Sequence, residues 1–189
     1  AAQSSASKQN SALPQAYRVW RPSTISSWPL YSTGSHKTKL LHQVREILEC
    51  EAPICASLLK KRLISAWDIK ESDSLWLRAW SRVAPSALTA TSLGKENVYW
   101  LKPNDWLEYQ SYRLPTTQRS GRRFLWEIPP EEVANAMLAI LRGQGAISME
   151  RLYQETLQIF QAGDLDAQLR PYLDTALQYL QTSGRLNAN

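Results

Sequence analysis

The segments "ILECEAPICASLL", Ile47–Leu59, and "ILRGQGAISMERL", Ile140–Leu152, repeat nearly the same apolar pattern at a distance of 93 positions. Each segment has a pair of apolar residues, a short polar turn, an isolated Ile and a second apolar run. This spacing predicts two helices joined by a tight turn, written twice in one chain. A chain of 189 residues has room for two such small units.

Upstream of each turn, the apolar residues recur at helical spacing and define one buried stripe. In the second copy, Pro129 and Pro130 precede Glu131 and Glu132, an order typical of a helix start because proline fits the first turn and carboxylates complement its positive end. The stripe consists of Leu40, Leu41, Val44, Ile47 and Leu48 in the first copy and of Val133, Ala134, Met137, Ile140 and Leu141 in the second.

After each turn, Ile54 or Ile147 leaves room for only a very short strand before a second helix. Ser148 is expected to be the N-cap of the later one. The residues predicted to anchor these second helices are Leu58, Leu59 and Leu63 in the first copy and Leu152, Tyr153 and Leu157 in the second.

A third helix is predicted in each copy, and Pro171 is tolerated there if it lies in the first turn. In the first copy, alternating residues from Leu88, a turn at Gly94 and the β-prone run Val98–Trp100 then predict a hairpin. The second copy ends with room for one strand at most. The third helices would be anchored by Trp76, Trp80 and Val83 and by Leu169, Leu173 and Ala176.

A helix, a short strand, two helices and a two-stranded hairpin follow each other in the order of a winged helix, a variant of the helix-turn-helix. We therefore expect a mostly α fold of two winged-helix modules in tandem, with short β wings. The predicted divisions are an extended leader over 1–37, in which Trp20, Trp28 and Tyr31 pack onto a neighbouring surface, module 1 over 38–104, a basic linker over 105–127, and module 2 over 128–189 with a truncated wing.

The composition indicates a folded chain, since 43% of the residues are hydrophobic and eight are Trp. Neither a membrane helix nor a signal peptide is indicated, and two cysteines suit a reducing compartment, so we expect a cytoplasmic location. The polar opening of the chain suggests a piece of a larger protein. Residues 1–37 carry a charge of +4, residues 38–127 carry 14 basic and 10 acidic groups, and residues 128–189 carry 4 and 7. A polyanion is therefore expected to meet the first two thirds of the chain.

The segments "VREILECEAPICASLLKKRL" and "EIPPEEVANAMLAILRGQGAISMERLYQETLQIF" resemble an uncharacterised domain family at the C-terminal end of very large bacterial superfamily I helicase proteins. The similarity covers roughly residues 38 to 186, with "IPPEEVANAM" as its most specific element. It implies a parent with a helicase motor, often beside an endonuclease-like domain, linked to defence against foreign DNA such as phage. The acidic "AGDLDAQLRP" departs from the basic residues that usually precede the family's last helix.

Eleven cationic side chains are candidates for contact with DNA phosphates or guanine. On the third helix of module 1, Arg78 and Arg82 share one face. In the linker, four arginines follow one another without an acid beside them, as in a mobile basic strap. The other candidates are near the end of the second helix or beside the wing, where Tyr99 and Trp100 could stack on bases or pack in the sheet. They are Lys60, Lys61, Arg62, Lys95 and Lys102, and the linker arginines are Arg113, Arg119, Arg122 and Arg123.

Catalytic and metal sites are not expected. The spacing of His36, His42, Cys50 and Cys55 disagrees with a zinc site, and buried thiols explain the cysteines better. Glu131 and Glu132 diverge around a helix and are accounted for by its positive end. We therefore expect no cofactor and a non-catalytic accessory domain that binds double-stranded DNA without sequence specificity. The alternative is an interaction scaffold that docks the parent's motor, its nuclease domain or a partner.

Overall fold

The computed structural model describes residues 14–22, 35–68, 80, 88–94, 96–116 and 121–186. Some residues named in the sequence analysis lie outside this part, and the predictions that involve them stay predictions. They are Trp28, Tyr31, Trp76, Val83 and the side chain of His36. The described chain is mostly α-helical with a few short strands, which agrees with the expected class.

The first half of the described chain alternates helices and strands. It begins with an extended segment and ends with an antiparallel hairpin. Its elements are β1 (Pro14–Ala16), α1 (Ser35–Glu51), β2 (Ile54–Cys55), α2 (Ala56–Trp67), β3 (Thr89–Leu93) and β4 (Glu96–Trp100).

The second half is dominated by three helices. Its elements are α3 (Asp105–Glu108), β5 (Tyr112–Leu114), a 3-10 turn (Leu125–Glu127), α4 (Pro130–Gln144), α5 (Met149–Phe160) and α6 (Arg170–Thr182). The proline-led start of α4 is confirmed, and Pro171 does lie in the first turn of α6. The Ser148 side chain caps α5 by accepting a hydrogen bond from the Arg151 amide, as predicted.

The sequence repeat is also a repeat of backbone geometry. A shift of 93 positions carries the bounds of α2 onto the bounds of α5, and the end of α1 onto the end of α4. Both 12-residue helices end at a residue in the left-handed region, with φ of 50° at Asp68 and 52° at Gln161. Corresponding buried residues also match, as in Leu59 with Leu152. The described residues therefore contain the same helix pair twice.

The hairpin of the first half is part of a three-stranded sheet with the order β2-β4-β3. Both pairings are antiparallel, with Ile54 opposite Tyr99 and Thr91 opposite Val98. The turn contains Gly94 at a φ of +80°, a conformation that favours glycine. The predicted hairpin is thus confirmed. Residues 128–186, all described, contain no strand, so Ile147 has no counterpart of β2.

Two larger apolar clusters form the core. One contains the predicted stripe of α1 and the anchors of α2, together with Trp20 from the N-terminal segment. The other lies among α4, α5 and α6 and includes the predicted anchors of the second copy. A small third cluster joins Cys55, Val98 and Trp100. The described core therefore consists of two larger clusters and one smaller one.

Two of the predicted divisions and one predicted position on a helix need correction. The N-terminal segment is not merely a leader, since β1 pairs in parallel with β5 and Tyr17 is buried. Residues 105–127 are not a simple linker, because their described part contains α3, β5 and the 3-10 turn. Finally, residues 60–62 lie in the middle of α2 rather than near its end, so its negative end does not explain their charge.

Candidate nucleic-acid interface

The eleven predicted cationic contacts fall into three groups. Arg78, Arg82, Lys95 and Arg119 lie outside the described residues and stay predictions. The side chains of a second group form ion pairs inside the protein, and those of a third group lie at or near the surface. The second group is the more deeply buried of these two.

Arg113 and Arg123 are buried, which corrects the expectation that they belong to a mobile basic strap. Their residues are 6% and 7% exposed, and both guanidinium groups contact Glu132, which is fully buried in the first turn of α4. The Nη2–Oε distances are 2.5 Å for Arg113 and 2.7 Å for Arg123. The two arginines are therefore inaccessible to DNA phosphates in this structure.

Arg113 also joins the two halves of the chain through backbone atoms. Its Nη1 donates to the Glu51 carbonyl and its Nη2 to the Pro53 carbonyl, each at 2.6 Å. Its own backbone amide donates to Glu132 at 2.8 Å, while its carbonyl accepts from Arg123 at 3.0 Å. The end of α1, strand β5 and the start of α4 are thus held at one point.

The ring of Tyr17 packs against the guanidinium groups of Arg113 and Arg123. The Cζ of Arg123 lies 4.0 Å from the ring centroid and that of Arg113 lies 5.2 Å from it. The Tyr17 hydroxyl donates to the buried carboxylate of Glu51. That carboxylate also accepts from Arg62 Nε at 2.8 Å and from the Trp20 amide at 2.8 Å.

We call the six residues that meet here the arginine cluster. It contains three guanidinium groups and two carboxylates, with a tyrosine between them: Tyr17, Glu51, Arg62, Arg113, Arg123 and Glu132. Because buried charges are stable only when paired and hydrogen-bonded, this cluster requires all its members. Arg62 is consequently engaged as well, and is a poor candidate for DNA contact.

The electrostatics of Glu132 reflect its partners. Burial alone would raise the pKa of its carboxyl group, but the charges and hydrogen bonds of Arg113 and Arg123 outweigh burial and lower the pKa to about 2. Burial and the Glu51 charge raise the pKa of the Tyr17 hydroxyl, which stays a hydrogen-bond donor at neutral pH.

The neighbouring Glu131 has a different environment. It is buried, and its carboxylate accepts from the Thr91 hydroxyl at 2.7 Å, which connects α4 to the hairpin. Burial raises the pKa of this carboxyl, although the bond from Thr91 lowers it. The sequence accounts for both glutamates only by the positive end of the helix. In the structure each of them also binds a side chain outside α4.

The remaining described candidates are at or near the surface. Lys61 Nζ pairs with Glu127 at 3.0 Å, and its side chain is 58% exposed. Lys102 and Arg122 are exposed, and Arg122 makes no hydrogen bond or ion pair with any residue that the structure describes. Lys60 is partly buried on α2 and makes contacts of its own. These side chains are the described members of the eleven candidates that a polyanion can reach.

Two exposed aromatic residues lie beside them and were not singled out from the sequence. The rings of Phe124 and Trp126 stack at 4.8 Å between centroids with an interplanar angle of 8°. The residues are 57% and 49% exposed. Lys61 Nζ lies 5.7 Å from the Phe124 centroid. Over residues 124–127 exposed and buried side chains alternate. This alternation would identify the two exposed rings, but it cannot be predicted without knowing where the 3-10 turn lies.

Cys55 is fully buried and Cys50 partly buried, and both are free thiols. Burial raises the pKa of both. Among the described residues, no group of three or more His, Cys, Asp or Glu side chains is arranged to hold a metal ion.

Comparison with known proteins adds no family: no family model, curated protein or solved structure matches the chain. Within the described ranges, no helix combines the length and apolar character needed to cross a membrane.

Proposed function

We propose that this chain is a non-catalytic nucleic-acid-binding accessory module, composed of two winged-helix units in tandem. The single observation that carries the proposal is the sheet order β2-β4-β3 around a helix–strand–helix unit. In a winged helix the first strand pairs with the second strand of the hairpin, and the third helix is presented to DNA. Trp80, the described residue of the predicted third helix, is helical and packs edge-on against Tyr99 of β4, with 6.4 Å between ring centroids.

Six of the eight candidate cations outside the arginine cluster are proposed to meet duplex DNA. Two of them, Lys102 and Arg122, are exposed in the structure. The other four are proposed from the sequence alone: Arg78, Arg82, Lys95 and Arg119. Arginine and lysine side chains on a helix and a wing bind phosphates without reading bases, so the affinity is weak and sensitive to salt. A larger parent protein with a helicase motor and an endonuclease-like domain, acting against foreign DNA, is proposed from the sequence resemblance alone.

A titration of a fluorescent DNA duplex with the full chain tests the proposal. Arg78→Ala combined with Arg82→Ala is expected to weaken binding at low salt by about tenfold, since phosphate contacts add electrostatic affinity. Arg45→Ala combined with Arg151→Ala removes the same charge from exposed helix pairs elsewhere and serves as the matched control. Equal affinity for the two double variants would contradict the proposed site.

The second candidate is an interaction scaffold, and the arginine cluster favours it. Three of the cations expected to bind DNA are used internally, which leaves a less basic surface than the sequence suggests. In that case the module would dock a parent domain or a partner through exposed apolar side chains such as Leu107, which is 66% exposed. Absence of duplex and single-strand binding at low salt would favour this candidate.

A further inference from the structure

The exposed aromatic pair of Phe124 and Trp126 is built into the fold rather than left over on a loop. Leu125, between the two rings, is 1% exposed and belongs to the core of the second helix group. Glu127 is also buried, and its carboxylate accepts from the Phe124 amide at 2.9 Å. The amide of Glu127 donates to the Phe124 carbonyl at 2.9 Å. The turn is thus anchored at alternate residues, so that both rings project outward.

The two rings of the stack differ in their described contacts, and Trp126 is 49% exposed. Lys61 approaches the Phe124 ring, and Trp126 stacks against it. Among the described residues, Phe124 is the ring partner of Trp126, and none is found beyond it. A planar group that stacks on Trp126 would therefore extend an existing pair without rearranging it, and the ordering of these side chains would cost little.

The charges around the stack suit an anion. Arg122 is exposed two residues before Phe124, and Lys61 is exposed on the neighbouring helix. The acid nearest to Lys61 is Glu127, which is buried and turned toward that lysine. An aromatic platform flanked by cations is the arrangement with which proteins hold unpaired bases and their phosphates.

We propose that Phe124 and Trp126 form a base-stacking site for single-stranded nucleic acid, with Arg122 and Lys61 beside its phosphates. This proposal rests on the proposed nucleic-acid-binding function and specifies one of its substrates. A duplex does not satisfy the site, because its bases are already stacked on each other and expose no face to Trp126. The site is sequence-tolerant, since every base offers a π-face.

The test is fluorescence anisotropy with a labelled 12-nucleotide single strand and a duplex of the same length. Trp126→Leu keeps an apolar side chain but removes the aromatic face, and it is expected to weaken single-strand binding by about 5- to 150-fold. Trp126→Phe keeps a ring and is expected to retain most of the affinity. Met149→Ala, which removes another exposed apolar side chain at the start of α5, is the control and leaves binding unchanged.

Two further readouts separate stacking from a general effect. Trp126→Leu is expected to change duplex binding by less than about twofold and to leave the salt dependence of single-strand binding unaltered, since stacking releases no counterions. Arg122→Ala is expected to reduce the slope of log K against log salt by about 1. Circular dichroism of each variant checks that the fold is retained.

The outcomes are distinguishable. Single-strand binding by Trp126→Leu equal to that of the unchanged protein overturns the stacking site but leaves the proposed function intact. The same conclusion follows if Trp126→Phe loses as much affinity as Trp126→Leu. Failure of the unchanged protein to bind either oligonucleotide overturns the stacking site and the proposed function together.

Discussion

Replacement of Glu132 by Gln is expected to destabilise the protein strongly at neutral pH. Glu132 is fully buried and accepts hydrogen bonds from both Arg113 and Arg123. Glutamine has nearly the same shape but no charge, so the substitution leaves two buried guanidinium groups facing a neutral amide. The energetic cost comes from these unpaired cations more than from lost hydrogen bonds.

The magnitude follows from the burial of the ion pair. Breaking a buried ion pair by removing one partner costs about 3–5 kcal/mol. The lowered pKa of Glu132 agrees in sign, since partners that keep a buried carboxyl ionised stabilise the folded state at neutral pH. With a urea m-value of about 2–3 kcal/mol/M, the unfolding midpoint of Glu132→Gln should be lower by about 1–2 M at pH 7.

The pH dependence of this difference is a sharper test than its size. Because the pKa of Glu132 is lowered in the folded state, its stabilisation is present above pH 4.5 and is lost as the pH falls toward 2. The midpoints of the unchanged protein and of Glu132→Gln should therefore converge over this range. Urea unfolding followed by circular dichroism at several pH values measures both curves.

The control is Glu49→Gln, which removes a carboxylate from an exposed pair with Arg45 on α1. Exposed pairs of this kind contribute about 0.3–0.5 kcal/mol, so its midpoint should be nearly unchanged. A destabilisation of Glu132→Gln below about 1 kcal/mol at pH 7, or a difference that stays constant down to pH 2, would refute the role given to the arginine cluster.

Three further predictions concern the core and the caps. Ser148→Ala removes the N-cap of α5 and should lower the free energy of unfolding by about 1 kcal/mol. Calorimetry should show a melting temperature lower by about 2–4 °C, and an unchanged melting temperature would contradict the cap. Tyr17→Ala should destabilise the protein by more than Tyr17→Phe does, since the phenylalanine ring still covers the guanidinium groups, and equal urea midpoints for the two variants would show that the ring contributes nothing. In thiol labelling followed by mass spectrometry, Cys50 should react in the folded protein and Cys55 only after unfolding, whereas rapid labelling of both would contradict the burial of Cys55.

Local patterns were sufficient to predict much of the helical architecture. The apolar stripe of α1 and its copy in α4 identified the buried faces, and Ser148 marked the start of α5 because capping depends on residues within one turn. The hairpin was predictable for the same reason, since its turn residue Gly94 and its β-prone strand are adjacent in sequence.

The arginine cluster could not be predicted in this way. Arg113 and Arg123 are separated from Glu132 by 19 and 9 positions, and their partnership depends on how β5 and α4 pack. The run of basic residues therefore suggested a surface strap, although two of its arginines are interior. A clue was present in the sequence of α4, where Asn135 is the one polar residue of the run from Val133 to Leu141. In the structure every residue from 130 to 138 is buried. A helix apolar on all sides is enclosed by protein, and a glutamate within it requires cationic partners.

The most direct test of nucleic-acid binding is the salt dependence of duplex affinity for the full chain, measured by anisotropy between 50 and 200 mM salt. Six cations outside the arginine cluster are proposed to meet phosphates: Arg78, Arg82, Lys95, Lys102, Arg119 and Arg122. If all six do so, the affinity should fall by roughly a thousandfold over this range, with a slope of log K against log salt of about −5. An affinity independent of salt, or no binding at 50 mM, would contradict the proposed function.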